Sequence, residues 1–147
     1  LPNTFIGNHD VDRIASKVGQ EKAILALAIL MSVAGMPSIY YGDEQGFEGL
    51  RTEGFSADDS VRPALPASPE ELSPLGNWIY AEYQKLIGVR RRNQWLTRAT
   101  TEVLDKSNET ISFRSFSDDG EIQLDAWVQP KPGVRIHANG ETLYEWS

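Results

Sequence analysis

The sequence has 147 residues, of which 40% are hydrophobic and 24% are charged, the balance of a folded globular chain. Its formal net charge is −7, and no basic cluster extends beyond Arg90-Arg91-Arg92, so we expect no nucleic acid partner. The absence of cysteine excludes disulfide bonds and thiolate metal sites. No apolar run is long enough to span a bilayer, and we expect no membrane partner.

The first part of the chain follows a strand, helix, strand order. Residues 4–6 predict a short buried strand, and residues 20–34 predict a helix that is apolar nearly all round. Residues 38–41 predict a second buried strand, in which Tyr40 and Tyr41 alternate so that only one faces inward. This order indicates a βαβ unit with two parallel strands.

Polar side chains follow each predicted strand. Asn8-His9-Asp10 comes after the first strand, and Asp43 and Glu44 come after the second. Because catalytic groups of parallel α/β barrels lie at the carboxyl ends of the strands, this arrangement has a functional interpretation. Such a cluster can bind sugar hydroxyls and stabilise a developing positive charge. The alternative is a strand end whose Asn and Asp cap the following helix.

A metal site is a further alternative, with His9, Asp10 and Asp12 as ligands. The two carboxylates share a face only if the chain stays extended there, and the other histidine, His137, lies far along the sequence. We therefore expect no metal and no other cofactor.

Residues 45–66 lack any helical or strand period and predict a long loop, a kind of segment that is usually functional. Asp58 and Arg62, four residues apart in it, could form an ion pair that presents both groups to a polar ligand. The alternative is a solvated surface pair of small energetic consequence. Arg13 could face the site or form a structural salt bridge.

Ser68 and Pro69 predict the start of a helix that continues to about residue 92. After Trp95, short strand-like runs separated by turns predict an antiparallel sheet, as a small sandwich or an incomplete barrel. We therefore expect two domains, residues 1–94 and residues 95–147. Some tryptophans could stack on sugar rings, but their spacing favours packing: Trp78, Trp127 and Trp146.

Three motifs occur in order: Phe5-Ile6-Gly7-Asn8-His9-Asp10, Gly35-Met36-Pro37-Ser38-Ile39-Tyr40-Tyr41-Gly42-Asp43-Glu44 and Asp58-Asp59-Ser60-Val61-Arg62-Pro63. Together with the β-rich remainder they resemble the C-terminal third of the α-amylase family of glycoside hydrolases (family 13). The first is similar to the family's fourth conserved region at barrel strand seven. The second resembles strand eight and its turn, and the third an Asp-x-x-x-Arg element. The resemblance implies an α/β plus all-β fold: a partial (β/α)8 TIM-barrel segment, strands seven and eight with their helices, followed by a small antiparallel β-sandwich domain.

The resemblance also implies roles for individual residues. Asp10 would be the family's third essential carboxylate, which hydrogen-bonds the sugar beside the scissile bond and favours the oxocarbenium-like transition state. His9 would bind hydroxyls of the same sugar, and Asp58 and Arg62 would contact a sugar further away. Asn8 would support the Asp10–His9 pair from beneath. The implied ligand is an α-linked glucose oligosaccharide or polysaccharide.

Hydrolysis needs more than these residues. A retaining glycosidase requires a nucleophilic carboxylate and a carboxylic acid about 5–5.5 Å apart. The resemblance places both on strands four and five, and a full barrel needs about 250 residues. We therefore expect a fragment of an α-amylase-type retaining glycoside hydrolase or transglycosylase that is inactive alone.

Two barrel strands also leave unpaired edges, which predicts a homo-oligomer, exchange of elements between copies, or helices packed over the edges. One alternative function is a non-catalytic carbohydrate-binding or structural β module with a helical extension. Another is a metal-dependent hydrolase centred on His9 and Asp10.

Overall fold

The computed structural model describes all 147 residues, which form a two-stranded parallel sheet, three α-helices and a five-stranded antiparallel sheet. The elements in chain order are β1 (Asn3–Phe5), α1 (Ile14–Val18), α2 (Gln20–Ser32), β2 (Met36–Ser38), α3 (Asn77–Arg92), β3 (Thr100–Lys106), β4 (Thr110–Ser117), β5 (Gly120–Trp127), β6 (Gly133–Ala138) and β7 (Glu141–Trp146). No helix combines the length and apolar character needed to cross a membrane.

The first three elements and β2 form the predicted parallel unit. β1 pairs with β2 in parallel, with Phe5 opposite Ser38, and the crossover between them runs through α1 and α2. The prediction that β1 and β2 are buried is wrong in this structure. Neither outer edge of the pair is hydrogen-bonded to another strand, so both strands stay open to solvent at that edge. Phe5 is 51% exposed and Met36 is 49% exposed.

The end of α2 is completed by a side chain from α3. Arg90 is buried, and its Nη1 donates to the carbonyl oxygens of Met31 (3.2 Å) and Val33 (2.6 Å). Its Nη2 donates to the carbonyl oxygen of Gly35. Carbonyls at a helix end have no partner within the helix, so the guanidinium supplies donors that the local sequence lacks. Burial lowers the pKa of Arg90.

Helix α3 begins later than the sequence predicts. Ser68 and Pro69 open a single 3₁₀ turn, and a second turn follows in which the Ser73 hydroxyl accepts from the Leu75 amide at 3.3 Å. The continuous helix starts only at Asn77. A helix running from residue 69 would place Pro74 in its interior, where proline removes a hydrogen bond and clashes with the preceding turn.

The predicted antiparallel pairing of the strand-like runs after Trp95 is confirmed, as one sheet of five strands in the order β3-β4-β5-β6-β7. The predicted sandwich is wrong, because there is no second sheet in this half of the chain. Helices α2 and α3 instead contact the sheet. In β5, every second side chain is buried on the same face of the sheet: Ile122, Leu124 and Ala126.

One hydrophobic cluster joins both halves of the sequence. It contains Leu27 of α2 and Leu86 of α3 together with Phe113, Leu124 and Ile136 of the sheet, each no more than 2% exposed. Residues 95–147 therefore share their core with the helices before them. The division into two domains at residue 94 stays a prediction.

Candidate functional site

The predicted site lies where β1 ends. Phe5 closes β1, and the side-chain oxygen of Asn8 then accepts a hydrogen bond from the Asp10 amide at 3.0 Å. This short turn sets the backbone of the cluster. His9 and Asp10 are exposed, and Asn8 is half-buried. The Asp10 carboxylate takes part in none of the ion pairs of the structure, so it is free to meet a ligand.

A buried ion pair connects the chain after β1 with the chain after β2. Arg13 Nη1 lies 2.9 Å from Asp43 Oδ1, and the two side chains are 1% and 4% exposed. Arg13 also donates to the carbonyl oxygens of Tyr41 and Val61, the latter at 3.0 Å. Burial raises the pKa of Asp43, and the hydrogen bond from Arg13 opposes that rise. Of the two interpretations of Arg13, the structure shows the structural salt bridge.

Tyr40 and Tyr41 do not alternate across a strand, because β2 ends before them at Ser38. Both hydroxyls donate to the same part of the long loop: Tyr40 to the Val61 carbonyl at 3.0 Å and Tyr41 to the Pro63 carbonyl at 2.7 Å. The predicted alternation of the two tyrosines in a strand is therefore wrong. Both tyrosines help to hold the loop beside the strand ends.

The long loop brings the third motif to the first. Arg62 Nη2 lies 2.6 Å from Asp58 Oδ2, so the predicted ion pair is formed. Arg62 Nε also donates to the backbone carbonyl of His9 at 2.8 Å, across 53 positions of sequence. The structure thus places Asp58 and Arg62 next to the Asn8-His9-Asp10 turn.

Arg51 completes this group, although no sequence pattern singles it out. Its Nε donates to Asp58 Oδ1 at 2.7 Å, so each oxygen of Asp58 contacts one arginine. The hydrogen bond from Arg51 lowers the pKa of Asp58. The Arg51 amide donates to Asp12 Oδ1 at 2.6 Å. We call Arg51, Asp58 and Arg62 the arginine clamp.

The loop is fastened to the segment after Asp10 at two further points. The Arg13 amide donates to the Gly49 carbonyl at 2.9 Å, and the Gly49 amide donates to the Ser16 hydroxyl at 2.7 Å. Gly49 lies against the Ser60 carbonyl so closely that a Cβ would clash with it. Residues 9–16 and 49–62 are therefore held as one unit, which limits the positions that Asp10 can take.

The ligand set of the metal alternative is not brought together. Asp12 is occupied by the Arg51 amide and lies 3.9 Å from the Lys17 ammonium. Across the 147 residues, no three histidine or acidic side chains gather in a way that could hold a metal ion. The alternative therefore gains no support.

Packing interactions of the tryptophans are confirmed. Trp78 of α3 stacks on Trp146 of β7, with ring centroids 6.2 Å apart and an interplanar angle of 12°. Trp127 covers Gly133, where a Cβ would clash with the indole ring. Each of these rings thus has a contact within the fold.

A second polar cluster lies on the β sheet, in the part of the chain without a predicted site. Burial acts to raise the pKa of Asp125, but hydrogen bonds from Ser112 (2.6 Å), Gln123 (3.0 Å) and His137 (2.8 Å) make the net shift downward. These three side chains lie on the partner strands and on β5 itself. The cluster cross-links β4, β5 and β6.

Residues 1–71 match the family model "Alpha amylase, catalytic domain". The chain is 30% identical to a 4-alpha-glucanotransferase of Thermotoga neapolitana over an alignment of 170 positions, gaps included, which covers 99% of this chain and 37% of that protein. It is 34% identical to a cyclomaltodextrin glucanotransferase of Geobacillus stearothermophilus over 100 residues, covering 67% of this chain and 12% of that protein.

A solved structure shows the same fold. The crystal structure of AmyP in complex with maltose superimposes with a TM-score of 0.73 at 18% identity, covering 96% of this chain and 38% of that chain. The present chain spans 37% of the Thermotoga protein, 12% of the Geobacillus protein and 38% of AmyP. Residues 1–71 thus match the catalytic domain of the α-amylase family, and the chain as a whole is similar to the glucanotransferases named above.

Proposed function

We propose that this chain is part of an α-glucan-acting retaining glycoside hydrolase or glucanotransferase, to which it contributes the transition-state-stabilising carboxylate Asp10. The observation that carries the proposal is the 2.8 Å hydrogen bond from Arg62 Nε to the His9 carbonyl. It joins two family-like motifs that are 53 residues apart in sequence. The glucanotransferase relatives support the substrate class, since their names specify α-glucan chemistry.

Each predicted residue has a role that fits its surroundings. Asp10 is exposed and free of ion pairs, as a group that must face developing positive charge on a sugar ring should be. His9 is exposed beside it and binds hydroxyls of the same sugar. Asn8 supports the turn through its hydrogen bond with the Asp10 amide. Arg62 and Asp58 contact a sugar further from the cleaved bond.

The nucleophile and the general acid come from residues outside this sequence in our proposal. Residues 1–94 correspond to barrel strands seven and eight with their helices, and the open edges of β1 and β2 support this, since each can accept a neighbouring strand. Three acidic groups of these segments are engaged elsewhere, Asp12 by Arg51, Asp43 by Arg13 and Asp58 by two arginines. A retaining mechanism needs two free carboxyl groups flanking the bond, so the chain alone is inactive.

The alternative of an independent β module is less well supported. The sheet of residues 95–147 shares its buried side chains with α2 and α3, as Phe113 and Leu124 show by clustering with Leu27 and Leu86. A module that binds glycans by itself would not need the first half of the chain. Glycan binding that is unaffected by Asp10→Asn would favour the module.

The test compares the 147-residue chain with a longer protein that contains it, each with and without Asp10→Asn, on a chromogenic α-glucoside. We expect activity only in the longer protein, reduced about 100-fold or more by the substitution. Asp118→Asn, an exposed turn residue, is the matched control and should leave activity unchanged. Activity of the chain alone would overturn the proposed division of catalytic groups.

A further inference from the structure

The turn between β6 and β7 places an asparagine directly before a glycine. Asn139 and Gly140 form this turn, and on either side of it Ala138 and Glu141 face each other across the hairpin. Both turn residues have positive φ, 51° for Asn139 and 80° for Gly140, as a two-residue type I′ turn requires. The other asparagines of the chain all precede larger residues: Asn3, Asn8, Asn77, Asn93 and Asn108. Asn139 is therefore the one asparagine whose side chain lies beside a glycine amide.

Both groups that could react with each other in this turn are free. The Gly140 amide donates no hydrogen bond to the backbone, and the exposed Asn139 side chain has no hydrogen-bond partner within the chain. Asn93, by contrast, is held by the hydrogen bond from its side chain to the Val89 carbonyl at 2.9 Å. A Cβ placed at Gly140 would meet no atom within 4 Å, so the surroundings of its amide nitrogen are open. Nothing in the fold shields the Asn139 side chain from the Gly140 nitrogen.

We propose that Asn139 is a site of spontaneous deamidation in this chain. The Gly140 amide nitrogen attacks the side-chain carbonyl carbon of Asn139, and the new nitrogen–carbon bond closes a cyclic succinimide. The amide proton passes to the departing side-chain nitrogen, which leaves as ammonia. Water then adds to one of the two ring carbonyls and opens the ring. One opening gives aspartate and the other gives isoaspartate, and neither needs an oxidant or a reductant.

The isoaspartate product changes the connection between the two strands. In isoaspartate the main chain runs through the side-chain carboxyl carbon, so the turn becomes one backbone atom longer. A two-residue turn joins its strands only in a narrow set of geometries, and the longer turn no longer fits the hairpin. Strand β7 contacts α3 through the Tyr144 hydroxyl, which donates to Glu82 at 2.8 Å, and through Trp146, which stacks on Trp78. We therefore expect isoaspartate at this turn to weaken the attachment of β7 to α3.

The experiment ages the 147-residue chain in neutral buffer and follows its tryptic peptide 136–147 by mass spectrometry. Cleavage after Arg135 releases this peptide, in which Asn139 is the only asparagine. We expect its mass to rise as the amide is replaced by a carboxyl group, before any other asparagine of the chain changes. Labelling by protein isoaspartyl methyltransferase should detect isoaspartate in the same peptide. The thermal midpoint of the aged chain should fall by about 3 °C or more.

Two variants separate the chemistry of the turn from other effects of ageing. Asn139→Gly removes the reactive carboxamide and keeps a sequence that suits the type I′ turn, so its peptide mass and its midpoint should not change with time. Asn139→Asp carries the charge of the aspartate product without the longer main chain, and its midpoint when fresh should stay within about 2 °C of the wild type.

An aged wild type whose peptide 136–147 keeps its original mass would overturn the proposed modification. An equal fall of the midpoint in the aged wild type and in aged Asn139→Gly would overturn the effect assigned to isoaspartate in the hairpin.

Discussion

The buried Arg13–Asp43 pair allows the sharpest prediction about what holds the site together. Asp43→Asn keeps a hydrogen-bond acceptor but removes the charge facing Arg13, which is 2% exposed and cannot regain water. Breaking a buried pair by removing one partner destabilises a protein by about 3–5 kcal/mol. Since domains are stable by about 5–15 kcal/mol in total, this is a large fraction.

The assay is thermal and urea unfolding of the 147-residue chain followed by circular dichroism. At about 3 °C per kcal/mol for a chain of this size, we expect the midpoint to fall by roughly 10 °C. Asp118→Asn, which is exposed and unpaired in the structure, should stay within about 0.5 kcal/mol of the wild type. A loss below about 1 kcal/mol for Asp43→Asn would contradict this expectation, because the guanidinium would then not depend on its partner.

Three further substitutions test separate parts of the structure. Gly49→Ala places a Cβ against the Ser60 carbonyl and should lower the free energy of unfolding in urea by about 1–3 kcal/mol. Gly7→Ala, where the new Cβ meets only ordinary contacts, should be near neutral. Equal effects of the two substitutions would contradict the close approach of Gly49 to Ser60. Arg90→Met leaves buried carbonyls at the end of α2 without donors and should lower the free energy of unfolding by about 2 kcal/mol or more. A smaller loss of stability in Arg90→Met than in Arg90→Lys would contradict the role of the carbonyl contacts. Asp125→Asn should destabilise the chain at pH 7. Because folding lowers the pKa of Asp125, the difference in stability between wild type and variant should shrink below about pH 4. A stability difference independent of pH would contradict a role for the charged carboxylate.

The elements of the fold were predictable where the pattern was local. Apolar runs separated by turns predict the strands of the antiparallel sheet, and the strand, helix, strand order predicts the parallel pair of β1 and β2. The sandwich was not predictable. Alternation in β5, with Leu124 inward, shows that one face is buried but not whether a sheet or the helices α2 and α3 cover it.

The candidate site was predictable in its residues but not in its connections. The motifs single out Asp10 and Arg62, yet the hydrogen bond that joins Arg62 to the His9 carbonyl depends on how the long loop closes. Arg51 carries no local signal at all. Its place in the site follows from its hydrogen bond to Asp58, which only the tertiary structure shows.

In the proposed function, Asp10 stabilises the transition state of an α-glucan-acting enzyme. The most direct test is the separate measurement of kcat and KM for Asp10→Asn in the longer protein, with maltoheptaose as the substrate. We predict a fall in kcat of about 100-fold or more with a much smaller change in KM, since the contact strengthens in the transition state. A kcat within about twofold of the wild type would contradict it, because removal of a transition-state contact must lower kcat.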